Sequence, residues 1–158
     1  MSAVAVFYHL TRSGLDDLVA TLLNRALGQG WRVFIRCPDK GLLEHLDAKL
    51  WLGPEDGFLP HGLQGGAQDA VQPVLLGSGE IANEAKGLML LGGALAGQAE
   101  VVGLERVWLV FDGSDAAAVA AARGQWTLLT GWGLAAQYWA DETGPWVKKV
   151  EKAADRED

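Results

Sequence analysis

Apolar positions along this chain switch repeatedly between an unbroken run and a helical period. Ala3-Val4-Ala5-Val6-Phe7-Tyr8 is a short run of apolar and β-branched residues, and Thr11-Arg12-Ser13-Gly14 breaks it, which predicts a buried first strand. Ser13 followed by Asp16 has the form of a capping box. Leu15, Leu18, Val19, Leu22, Leu23, Ala26 and Leu27 then recur at helical spacing until Gly28 and Gly30. Trp31 to Arg36 predicts a second strand, and from Asp39 a second helix should turn Leu42, Leu43, Leu46 and Leu50 inward. Between Gly53 and Gly66, Pro54, Pro60 and a cluster of glycines predict a long loop through which neither helix nor strand propagates. Val71–Leu76, Gly87–Leu91 and Val107–Phe111 are further strand candidates. Ser114 is placed to cap a last helix reaching about Thr130, and Leu134–Trp139 predicts a final strand.

Strand and helix signals that alternate in this way predict an α/β fold. The expected form is a single three-layer domain whose sheet is mainly parallel, with helices on both faces. The domain should span residues 1–150, and the polar stretch 151–158 should form a disordered tail. No internal repeat or interior linker interrupts it.

Composition narrows the function. With 13 basic and 20 acidic residues the formal net charge is -7, which argues against strong direct binding of nucleic acid and confines any basic site to a local patch. No apolar run approaches the ~20 residues of a membrane helix, and no signal pattern opens the chain, so a cytoplasmic protein without a membrane partner is expected. The lone Cys37 makes no internal disulfide. No paired-cysteine or H-E-x-x-H motif is present to hold a metal. The turn His9-Leu10-Thr11-Arg12-Ser13-Gly14 lacks both the dinucleotide fingerprint and the phosphate loop with which an α/β sheet binds a nucleotide, so no cofactor is expected. Gly65-Gly66 and Gly92-Gly93 read as turns. Glu44 beside His45, and Glu55 and Asp56 near His61, are the available acid–base groups, but no nucleophile stands in a recognisable setting. No catalytic residue is expected. A small nucleotide binder or enzyme using the carboxyl ends of the strands is the rival reading.

Two groups of aromatic residues carry the remaining signal. In the last helix Arg123, Trp126, Thr127 and Thr130 share one stripe, and Ala118, Ala121, Ala122, Leu128 and Leu129 another. The alanine and leucine stripe is the expected core face. Trp126 is then either half exposed beside Arg123, a pairing that suits an acidic and aromatic peptide, or simply buried with Arg123 in solvent. Trp51 and Phe58 flank the glycine and proline loop, either as core plugs or as exposed anchors.

Several of these segments together resemble one family. Gly30-Trp31-Arg32-Val33, Arg36-Cys37-Pro38-Asp39, Leu46 to Trp51, Phe58-Leu59-Pro60-His61-Gly62, Gln72 to Leu76, Val107 to Gly113 and Ala122-Arg123 are similar to the chi subunit of bacterial DNA polymerase III holoenzyme, from about residue 3 to Lys149. Leu50-Trp51 with Phe58-Leu59-Pro60-His61 at this spacing is the most specific part. The resemblance implies a non-catalytic adaptor of the replicase, with a nucleotide-binding-like α/β topology that lacks a phosphate loop. Such an adaptor binds the acidic, Phe-ended C-terminal tail of single-stranded DNA-binding protein, and joins the clamp loader through a psi subunit or an equivalent component. It implies a tail groove around Arg123 and Trp126. Val119 and Thr127 stand where the family pattern has lysines, and Lys148, Lys149 or Arg106 are the candidate replacement cations. It also implies a second surface around Trp51 and Phe58, with Pro60 and His61 of the same motif, for psi or a repair helicase.

Overall fold

A computed structural model describes residues 3–51 and 61–154, without the side chain of Trp51. In chain order the elements are β1 (Val4–Leu10), α1 (Leu15–Gly28), β2 (Val33–Arg36), α2 (Lys40–Trp51), β3 (His61–Leu63), β4 (Val74–Gly77), β5 (Gly87–Leu90), α3 (Gln98–Val101), β6 (Arg106–Asp112), α4 (Ala116–Gly131), β7 (Ala135–Ala140) and β8 (Val147–Lys152). One eight-stranded sheet runs in the order β3-β4-β2-β5-β6-β1-β7-β8, parallel throughout except for the antiparallel β7–β8 pair. The α/β expectation, a mainly parallel sheet covered on both faces, holds.

Strand alternation divides the core in two. Val6, Val33, Ile35, Val74, Leu76, Met89, Trp108 and Val110 point to one side, where the apolar stripes of α1 and α2 cover them. Ala5, Phe7, Phe34, Leu75, Leu88, Leu90, Val107, Leu109 and Ala136 point to the other, under α3 and α4. Parallel strands lie between two covered faces, which explains why β2, β4 and β5 read as continuous apolar runs rather than alternating ones. Gly92 and Gly93 follow β5 with φ of 62° and 83°, and Ala94 N–H donates to Leu91 O; they form the expected turn.

Several expectations are corrected. The glycine and proline segment carries a short strand at its end, because His61–Leu63 pairs in parallel with β4. Leu134–Trp139 is not the last strand: the chain turns back as β8, which takes in Glu151 and Lys152 of the expected tail. Trp146, just before β8, packs edge-on against Tyr8 and holds this hairpin on the α1 face. The helix caps also differ. Gly14, not Ser13, precedes α1 and makes no side-chain cap, and α4 is capped by Asp115, whose carboxylate accepts from Ala117 N and Ala118 N. Ser114 instead donates to Asp112.

Candidate functional site

The carboxyl ends of β1, β6 and β7 deliver three aromatic residues to the α4 face. Two-residue alternation puts His9 after Ala5 and Phe7, Phe111 after Val107 and Leu109, and Tyr138 after Ala136, all on one side of the sheet. The Tyr138 hydroxyl and His9 Nδ1 are hydrogen-bonded at 2.7 Å, and the Phe111 ring lies 5.4 Å from His9 and 5.9 Å from Tyr138. Gly113 makes room for this arrangement, since a Cβ there would collide with the His9 ring. α4 crosses above. Its core contact follows Ala122, Gln125 and Leu129, while Ala121 and Leu128 of the expected stripe are exposed.

Trp126 is therefore at the border of the core face, half buried. Its ring packs edge-on against Phe7 at 5.2 Å and against Tyr138 at 6.3 Å, so it forms one wall of the aromatic cluster while keeping a face in solvent. One turn earlier Arg123 is exposed, yet it acts electrostatically on Tyr138. Burial raises the Tyr138 pKa above its ordinary value, and the Arg123 guanidinium partly offsets that while Glu142 adds to it. The structure thus brings Arg123, Trp126 and Tyr138 together. Thr127 is exposed and donates its hydroxyl to Arg123 O, and Val119 is half buried earlier on the same helix. Sequence reasoning missed Tyr138, His9 and Phe111. Their common face was readable from the alternation of each strand, but not that the three strands adjoin.

The other expected residues are placed differently. Lys148 pairs with Glu151 at 2.9 Å and lies opposite Trp139, a residue of the α1 face, with Lys149 beside it on the exposed edge strand. Arg106 stands on the opposite face of the sheet from this groove. It shares the α1 face with Trp108 and sits 5.5 Å over the Trp31 ring. His61 is buried at 4% exposure, with Nε2 3.2 Å from Asp47 Oδ1, and ties β3 to α2. Trp51 ends α2, whereas Phe58 and Pro60, with Glu55 and Asp56, lie outside the described residues. Glu44 and His45 are surface residues of α2, His45 being paired with Asp16 of α1. Cys37 is buried, and burial pushes its thiol pKa up, away from the range of a nucleophile.

The position where nucleotide-binding folds place a phosphate, the turn between first strand and first helix, is filled from within. The buried carboxylate of Asp141, just beyond β7, accepts hydrogen bonds from the backbone N–H groups of Thr11 at 2.7 Å, Arg12 at 3.2 Å and Ser13 at 2.6 Å. Burial alone would raise its pKa, but the hydrogen bonds from Ser13, Thr11 and Arg12 outweigh this and bring it down to about 2. An anion is already bound where a phosphate would sit. Among the described residues no cluster of His, Cys, Asp and Glu could hold a metal ion, and no helix is long and apolar enough to cross a membrane.

Comparison with known proteins adds a family to this geometry. A family model described as DNA polymerase III chi subunit, HolC, matches residues 1–137. A DNA polymerase III subunit chi from Pseudomonas aeruginosa is 36% identical over 64 residues, 40% of this chain and 44% of that protein. One from Escherichia coli (strain K12) is 34% identical over 62 residues, 39% of this chain and 42% of that protein. The matched region spans less than half the length of each of these curated relatives.

Proposed function

Because the chain belongs to the DNA polymerase III chi subunit family, we propose that it is a replication accessory subunit that works as a non-catalytic adaptor. Its α4 groove takes the acidic, Phe-ended C-terminal tail of single-stranded DNA-binding protein. Trp51 and Phe58 anchor the side facing psi, another clamp-loader component or a repair helicase. The observation that carries the reading is the exposed Arg123 one helical turn from the half-buried Trp126 and beside Tyr138. A guanidinium suits a terminal carboxylate because it can donate two parallel hydrogen bonds. The Trp126 and Tyr138 rings suit a Phe ring in edge or offset contact, worth ~0.5 to 1.5 kcal/mol beyond burial. Val119 and Thr127 line the same helix without adding charge. Lys148 and Lys149 on β8 contribute at longer range, which salt screens beyond ~8 Å.

The self-filled turn at Thr11–Ser13 favours this adaptor over a nucleotide enzyme. The test is fluorescence anisotropy of a labelled tail peptide against wild type and Arg123→Ala. Binding in the micromolar range is expected, weakening as salt rises and falling at least about tenfold in the variant, since a charge-assisted hydrogen bond contributes ~1.5 to 3 kcal/mol. Equal affinity in a folded Arg123→Ala protein would place the tail elsewhere.

A further inference from the structure

The far side of α4 borders a second, unassigned crevice. It opens at the carboxyl ends of β1, β5 and β6, with a volume of about 790 Å³. Ala117, Ala118, Ala121 and Ala122 form one wall, short enough to leave a slot between helix and sheet, and Leu10, Leu90, Leu91 and Leu109 floor it. Leu95 stands at the rim, 63% exposed, on a loop held by the Arg36 guanidinium, which donates to Leu95 O at 2.9 Å and to Glu100. Arg36 thus ties that loop to β2.

Besides Thr11 and Ser13, whose backbone N–H groups are taken by Asp141, two polar features define what fits. At the inner end Gln125 is only 9% exposed and lines the crevice, and its Oε1 has no hydrogen-bond partner among the described residues. A buried carbonyl left unpaired costs free energy that an incoming N–H would recover. At the outer end stand the carboxylates of Asp112 and Asp115. Both use Oδ1 for their bonds to Ser114 and to the start of α4, which leaves Oδ2 of each outside those bonds. Among the described residues no lysine, arginine or histidine lines the crevice. Asp115 and Gln125 are ten residues apart along α4, about 15 Å at 1.5 Å per residue, which four to five extended residues span at ~3.3 Å each.

We propose that this crevice docks a short extended apolar segment of a partner protein, with a nitrogen donor at its inner end and a basic residue at its outer end. The site is opposite in charge to the Arg123 groove and does not rest on the tail-binding reading. The probe is the capped peptide Trp-Leu-Leu-Lys, titrated into the ¹⁵N-labelled protein, with Trp-Leu-Leu-Glu and tryptamine as comparisons. Saturable shifts are expected at the amides of Leu90–Leu95 and Ala117–Gln125. Binding should weaken by about threefold or more for the Glu peptide, for tryptamine and in Gln125→Leu, the scale of one lost polar contact. If Gln125→Leu fails to fold, Ala121→Phe, which fills the slot from an exposed position, should remove binding instead. Equal binding of the Lys and Glu peptides, tryptamine binding as tightly as the peptide, shifts confined to other surfaces, or full binding by Ala121→Phe would each overturn the assignment.

Discussion

Asp141 shows how one side chain can occupy the backbone donors of a strand-to-helix turn. A carboxylate that satisfies three consecutive backbone N–H groups removes the anion site that a phosphate would need, and it couples β7 to the start of α1. Its folded pKa of about 2 lies below the ordinary carboxylate value near 3.9. The stabilisation is therefore complete above about pH 4 and is lost as pH falls from there toward 2. Denaturant melts followed between pH 6 and pH 2.5 should show stability falling across that acid range. Asp141→Asn should be less stable at pH 6 and lose less on acidification. Little in the sequence singled this residue out, since Asp141 lies 128 positions from Ser13 and only strand adjacency brings them together. Arg123 and Trp126 were legible because helical spacing alone places them one turn apart.

At the scale of elements, local patterns held where one face decided them. α1 buries Leu18, Val19, Leu22, Leu23 and Ala26 as its period requires, and α2 buries Leu43, Leu46 and Leu50. They misled where the cue was a single polar residue or a short edge. Ser13 and Ser114 both look like caps, yet one lends its backbone N–H to Asp141 and the other its hydroxyl to Asp112. β3 and β8 escaped notice because an edge strand of three residues is too short to show an alternation, and one carrying Lys148, Lys149 and Lys152 has no buried face to advertise itself. The true cap offers a direct check. Asp115→Ala should cost ~0.5 to 2 kcal/mol and lower the melting temperature by ~2 to 4 °C per kcal/mol, and Ser114→Ala should cost less. Equal losses measured by calorimetry would contradict the assignment of Asp115.

For the whole molecule, α4 is the element that the two proposed sites share. It lies over the sheet with Arg123 and Trp126 on one flank and the alanine-walled crevice on the other, and Phe111 lies between the aromatic cluster and the crevice. An acidic protein with a net charge of -7 can still hold an acidic tail, because screening at physiological salt lets the nearest cation dominate. The fold needed for this was readable from the alternating strand and helix signals. The strand order was not, and with it went Tyr138 and His9, which join the groove only because β1 lies between β6 and β7.

The protein contains two tyrosines, Tyr8 on the α1 face and Tyr138 in the proposed groove, which makes the location of tail binding directly observable. The decisive measurement is the titration of ¹³Cζ-tyrosine-labelled protein with unlabelled tail peptide, followed by NMR. The Tyr138 resonance should move saturably while Tyr8 stays in place, and Arg123→Ala should suppress the movement. A peptide that binds by anisotropy yet leaves Tyr138 unmoved, or shifts both tyrosines alike, would contradict the placement of the tail on α4.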